Sequence, residues 1–159
     1  MTTLQSLRAD YVAIAVGTCS LALILGALGF QYLGGLQPCE MCHWQRWPHI
    51  AAAIVGVLGG GLLPRRFAVP VVMAAILLVA TSGLIGLYQT GMQYHLLPGP
   101  TACTVDHPYI LGSNMPVEAR CDVPVYILGL VFPAWNAILS FLIAGGAVFA
   151  LRKPDAPQA

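Results

Sequence analysis

The chain has 159 residues, of which 58% are hydrophobic and 8% charged, with a formal net charge of +1. A soluble domain carries roughly 25% charged residues, so this composition excludes an ordinary water-facing shell and points to an all-α membrane protein. The near-neutral balance contains no basic stripe that would serve nucleic acid.

Four apolar runs follow one another at about 11–33, 44–63, 67–88 and 125–151. The second is strictly apolar only from Trp47, with Trp44 and Gln45 counted at the interface. About 20 apolar residues cross a hydrocarbon core of roughly 30 Å, and open strands cannot cross lipid. The expectation is a bundle of four transmembrane helices forming one domain, 1–153, followed by a disordered cytoplasmic tail, 154–159. The first run exceeds the about 7–15 apolar residues of a signal peptide, which predicts a retained first helix.

The basic residues orient the bundle. Arg8 precedes the first run, Arg65 and Arg66 join the second to the third, and Arg152 and Lys153 follow the fourth. The opposite side has Arg46 and Arg120, offset by Glu40, Asp106, Glu118 and Asp122. Both termini are therefore expected in the cytoplasm. The other two loops would face the periplasm of a bacterial inner membrane.

Within the runs, Gly56 and Gly60 form a small-xxx-small pair that allows close helix approach, and Gly145 with Gly146 is expected to act likewise. Pro48, Pro70 and Pro124 are expected near helix starts, where a missing N–H costs least. Asp122 would cap the fourth helix and place Cys121 just before it. Pro133 would then fall inside that helix and kink it. Cys19, in the middle of the first run, is expected to be a buried small apolar residue.

The chemistry lies in the two outer loops. Cys39 and Cys42 stand in Pro38-Cys39-Glu40-Met41-Cys42-His43, and Cys103 and Cys121 in the longest polar stretch. Taken alone, four outward cysteines read equally as two structural staples. A bridge across C-x-x-C, however, closes a tiny ring and removes little chain entropy, which makes a poor staple and a good redox pair. The second helix is expected to begin just after Cys42, so its N-terminal dipole and the Arg46 guanidinium both favour a Cys42 thiolate. Arg46 admits two readings, an interfacial anchor or a cation that bonds a quinone carbonyl. Trp44 and Trp47 read as belt aromatics or as walls of a quinone pocket. A bridge between Cys103 and Cys121 would sit in a flexible Pro- and Gly-rich loop and open to an incoming thiolate. His95 and His107 nearby read as solvated histidines or as proton carriers.

Cys39-Glu40-Met41-Cys42-His43 also satisfies the C-x-x-C-H pattern of covalent c-type haem, with Met92, His95, His107 or Met115 as a distal ligand. A membrane c-type cytochrome is therefore the rival reading, but it leaves Cys103 and Cys121 unexplained and gives Arg46 no role. Zinc fits less well, since thiols split across an oxidising surface become disulfides, and no metal is expected.

Gln37-Pro38-Cys39-Glu40-Met41-Cys42-His43-Trp44-Gln45-Arg46-Trp47-Pro48 resembles the first periplasmic loop of the disulfide bond formation protein B family, DsbB. Pro98-Gly99-Pro100-Thr101-Ala102-Cys103-Thr104 resembles its second-loop cysteine segment. Cys121-Asp122, Leu128-Gly129-Leu130 and Ala134-Trp135-Asn136 resemble the entry and body of its last helix. The resemblance covers nearly the whole chain. Two departures stand out: Gln89 occupies a position where the most similar variants carry histidine, and the second loop is short for the family. Vitamin K epoxide reductase-like enzymes share the chemistry with the opposite order of cysteine pairs.

The resemblance implies a relay. A reduced DsbA-like thioredoxin-fold oxidase of the periplasm attacks Cys103 and releases Cys121. Cys121 attacks Cys39 and frees the Cys42 thiolate, and the electrons pass to ubiquinone or menaquinone of the membrane pool. Arg46 polarises the quinone, with Trp44 and Trp47 as candidate pocket walls.

Overall fold

Long apolar runs, broken by proline mainly where the chain turns, fold here into helices. The computed structural model describes residues 3–100, 103 and 120–152. Among them the first helix, α1, is Thr3–Tyr32. The second, α2, is Glu40–Ile54 and runs on through a π turn, Val55–Gly59, and a last turn, Gly60–Leu62. A 3-10 turn at Arg65–Phe67 leads into α3, Ala68–Gln93, and α4 is Phe132–Arg152. The expected tail at 154–159, with Asp106, His107, Met115 and Glu118, lies outside the described residues.

Three segments, Gln5–Tyr32, Arg65–Gln93 and Phe132–Arg152, are long and apolar enough to cross a membrane. The second helix differs because its first turns carry Glu40, His43, Gln45, Arg46 and His49. Elsewhere large apolar side chains point outward: Leu77, Leu142 and Phe149 are 62%, 66% and 70% exposed. A surface of that kind suits lipid rather than water.

Neighbouring helices are antiparallel. Gly60, at the end of the second helix, packs on Asp10 near the start of the first, and Gly86, late in α3, packs on Pro133 at the start of α4. Arg8, Arg65, Arg66 and Arg152 therefore gather at one end of the bundle, with the four loop cysteines at the other. The core at the basic end is built from small residues, among them Ala9, Ala13, Ala52, Ala75, Ala144 and Ala147. Such residues let helix backbones approach closely.

The Gly56 and Gly60 pair does pack in this way, and Gly17 joins it. A Cβ at Gly56 would stand 2.5 Å from the Ala13 carbonyl oxygen, at Gly60 2.9 Å from that of Asp10, and at Gly17 2.8 Å from the Val57 nitrogen. Gly145 and Gly146 do not share this role, since a Cβ at either meets nothing within 4 Å. Cys19 is exposed on the outer face of α1 rather than buried.

The fourth helix starts later than its apolar run. Tyr126–Ile127 and Leu130–Val131 pair antiparallel, joined by Leu128 and Gly129 with φ of 50° and 83°. Two successive positive φ values are the signature of a tight two-residue hairpin turn. The Trp135 indole donates to the Ile127 carbonyl at 2.8 Å, and the Phe132 N–H to that of Val125 at 2.8 Å. Because the hairpin takes up the start of the run, Asp122 does not cap α4. It pairs instead with Arg120 at 2.8 Å, whose hydrogen bonds hold the carboxyl below its usual range. Pro124 is likewise not at a helix start, and Pro133 lies in the first turn, where no kink follows. Pro48 is interior, because α2 begins at Glu40. Pro70 does lie in the first turn of α3.

Gly56→Ala places a methyl against the backbone of α1, and overpacking of this kind costs about 1–3 kcal/mol. Thermal unfolding in detergent should show a lowered midpoint for Gly56→Ala and no loss for Gly145→Ala.

Candidate functional site

The site grows from the N-terminus of α2. Cys39 is the N-cap, in extended conformation, and its sulfur accepts from the Cys42 N–H at 3.2 Å. Cys42 therefore lies inside the first helical turn, not before the helix as the sequence predicts, and the helix dipole acts on it at close range. The Cys39 and Cys42 sulfurs are 2.6 Å apart. All five cysteines carry free thiols.

The second pair comes to the same place. Cys39, Cys103 and Cys121 are buried together with Met41 and Met92, and Cys42 packs against them. The Cys121 N–H donates to the Cys103 carbonyl at 3.2 Å, which holds the two cysteines side by side. Cys103 is 3% exposed, so it is not the open loop cysteine that the sequence suggests. Gln89 ties the pairs together: its Nε2 donates to Cys39 Sγ at 3.2 Å and to the Cys121 carbonyl at 3.4 Å. One turn on, Gln93 donates to the same carbonyl at 3.0 Å.

These surroundings divide the thiols by acidity. The Cys39 thiol, held close to Cys42, lowers the Cys42 pKa to about 7; burial opposes this, and Gln89 and Arg46 assist it. Cys39 is correspondingly pushed up by its hydrogen bond to Cys42 and by burial. Cys103 is pushed up to about 12, by burial first and then by Cys121. Cys42 is thus the thiol best suited to be the thiolate, the more so as it lines a cavity.

That cavity, about 380 Å³, is walled by α1, the early turns of α2, the 120–125 segment and α4. It is largely apolar, with Phe30, Phe132 and Trp135 on its walls and Arg46, Gln31, His49 and Asn136 among its polar groups. Half-buried Arg46 donates to Gln31 Oε1 at 2.6 Å. Trp44 and Trp47 do not line it, contrary to the pocket reading. Trp44 donates to Glu40 at 2.8 Å and both indoles are exposed; at this helical spacing their positions fall on the outer face. His43 does not line the cavity either, and His95 is exposed.

The sequence reading missed Gln45, His49, Gln93 and Asn136, and treated Gln89 only as a departure. Gln45 donates to Gln89 Oε1 at 2.5 Å. Ser82 donates to the Gln45 carbonyl at 2.9 Å. Asn136 donates to the Ser82 carbonyl and hydroxyl at 3.2 and 3.1 Å. A signal was present, because polar side chains at membrane depth are functional candidates by default.

The thiol order gives a direct test. In the reduced protein Cys42 is mostly protonated and unreactive below its pKa and a thiolate above it. Its alkylation by iodoacetamide should rise with pH through a midpoint near 7. Mass mapping should find Cys103 nearly unlabelled between about pH 6 and 9. Cys39→Ala should move the Cys42 midpoint upward.

The family model described as disulfide bond formation protein DsbB matches residues 9–150. The Disulfide bond formation protein B of Aromatoleum aromaticum is 31% identical over 147 residues, covering 83% of this chain and 88% of that protein. That of Neisseria meningitidis serogroup C is 30% identical, covering 82% and 85%, and that of Burkholderia thailandensis 28% identical, covering 89% and 88%. No solved structure matches. With the model spanning nearly the full bundle and both cysteine pairs in place, the chain belongs to the disulfide bond formation protein DsbB family.

Proposed function

We propose that this protein is a quinone-linked membrane oxidase of protein dithiols, which reoxidises a DsbA-like thioredoxin-fold partner in the periplasm. The observation that carries this reading is the gathering of both cysteine pairs in one cluster whose most acidic thiol, Cys42, lines a largely apolar cavity. We take all four helices to span a bacterial inner membrane. The arginine-rich end and both termini would then be cytoplasmic, and the cysteine end periplasmic.

In this mechanism the partner's thiolate attacks the Cys103 sulfur of a Cys103–Cys121 disulfide, and Cys121 leaves as the thiolate. Because Cys103 is buried, its sulfur must be uncovered for that attack. Cys121 shares the buried cluster with Cys39, and in this reading it attacks Cys39 of a Cys39–Cys42 disulfide. Cys42 is the better leaving group of that pair, since the lower-pKa thiol leaves faster. Gln89 holds Cys39 and the Cys121 backbone in register for the exchange.

The cavity suits a quinone: aromatic walls at Phe30, Phe132 and Trp135 and a guanidinium donor at Arg46. Cys42 and Arg46 would hold it. A bound ubiquinone or menaquinone supplies a two-electron, two-proton acceptor. Arg46 presents a fixed positive charge, and the apolar walls keep water from the Cys42 sulfur. A haem on Cys39 and Cys42 finds no support, because their sulfurs face each other and His43 is off the cavity. The chain should carry no thioether-linked haem by absorption or mass.

Replacing any one of Cys39, Cys42, Cys103 or Cys121 by Ser should abolish quinone reduction driven by a reduced thioredoxin-fold oxidase, while Cys19→Ser should not. Full turnover in Cys39→Ser or Cys42→Ser sinks the relay. Arg46→Ala removes a charge-assisted hydrogen bond worth about 1.5–3 kcal/mol, roughly ten- to hundredfold in kcat/KM for quinone. Mixed-disulfide formation at Cys103 should be unchanged in that variant. Loss of the mixed disulfide with normal quinone kinetics would move Arg46 to partner docking.

A further inference from the structure

His49 is 2% exposed and lines the cavity. Cys42, Arg46 and His49 stand at i, i+4 and i+7, which puts them on one stripe of α2. The stripe is about 10 Å long by helical rise. Of the three, His49 has no part in the relay above.

Its protonation can be read from its neighbours. His49 Nε2 contacts Asn136 Oδ1 at 3.1 Å and Ser140 Oγ at 3.2 Å. Asn136 Nδ2 is 3.2 Å from the Ser82 carbonyl oxygen. A carbonyl can only accept, so the amide nitrogen must face Ser82 and the amide oxygen must face His49. Nε2 therefore carries the hydrogen. A ring buried among neutral partners holds one ring proton, so Nδ1 is a bare acceptor. It has no protein partner and almost no accessible surface, so a ligand group reaches it when the ring turns toward the cavity that His49 lines.

A bare acceptor distinguishes the two forms of a quinone. A carbonyl oxygen brings only lone pairs to it, whereas a ring hydroxyl donates. Arg46, a donor only, makes no such distinction. We infer that His49 Nδ1 accepts a hydrogen bond from a ring hydroxyl and makes the cavity prefer the hydroquinone form of its ligand over the quinone form. The inference rests on the proposed quinone site and adds a specificity-determining residue to it. A tenfold preference raises the potential of the bound couple by about 30 mV, which helps draw electrons from the thiols.

The test is binding, separate from turnover. Dissociation constants are measured for a short-chain ubiquinone with the oxidised protein and for its hydroquinone with the reduced protein, so that no electrons move. His49→Gln keeps an amide N–H for Asn136 and removes the ring acceptor, and His49→Leu removes both. Each variant should bind hydroquinone about tenfold more weakly and quinone within about twofold of the parent. The inference is overturned if His49→Gln leaves both constants unchanged or weakens both alike. If the parent protein binds neither form, the quinone site itself falls and this inference with it.

Discussion

The hydrogen bond from the Cys42 N–H to the Cys39 sulfur starts the second helix, and much of the site depends on where that helix starts. Sulfur is a weak acceptor, yet it occupies the N-cap position that usually falls to serine or aspartate. Once the helix begins at Glu40, three consequences follow from helical spacing. Cys42 falls in the first turn, where unpaired N–H groups favour a thiolate. Arg46 and His49 follow it down one face into the cavity. Trp44 and Trp47 rotate to the outside. A start at residue 44, as the apolar pattern suggested, would leave Cys42 before the helix, where the N-terminal dipole still acts on it but helical spacing no longer sets it in line with Arg46 and His49.

The second constraint is the cost of polar groups inside an apolar bundle. Gln45, Ser82, Gln89, Asn136 and Ser140 are bonded to one another, to the backbone or to His49 across three helices. In lipid such bonds average about 0.6 kcal/mol and reach about 1–2 kcal/mol. Their greater effect is on register, because a shifted helix would leave buried donors without partners. The network holds α3 at the height where Gln89 meets both Cys39 and Cys121. Among the described residues three buried side-chain atoms lack a partner: Ser20 Oγ, His49 Nδ1 and Gln93 Oε1. His49 and Gln93 line the cavity, so the polar groups left open are concentrated where a ligand would sit.

Close packing at the opposite end complements this arrangement. The glycines at 17, 56 and 60 bring α1 against the second helix with backbone contacts that admit no side chain, so the bundle is tight at its basic end. Toward the cysteines the helices leave room between α1, α2 and α4 for the cavity. A single bundle thus combines a dense half with a half that has space for chemistry.

Composition and hydropathy determined the helical membrane class, because apolar length and scarcity of charge are properties of the chain itself. The spacing of Cys39, Cys42 and Arg46 likewise pointed to redox chemistry before any fold was known, since thiol reactivity depends on local charge and ring size. Helix boundaries were less legible. The hairpin at 126–131 consists of the same apolar residues as the helix after it, and only the positive φ values at Leu128 and Gly129 separate them. Tertiary structure alone decided that Cys103 is buried, that Gln89 joins the two cysteine pairs, and that Phe132, Trp135 and His49 line the cavity while Trp44 and Trp47 do not. These facts depend on rotation and height of helices relative to one another. Both are fixed by glycine contacts and buried hydrogen bonds between residues distant in sequence, which no local pattern encodes.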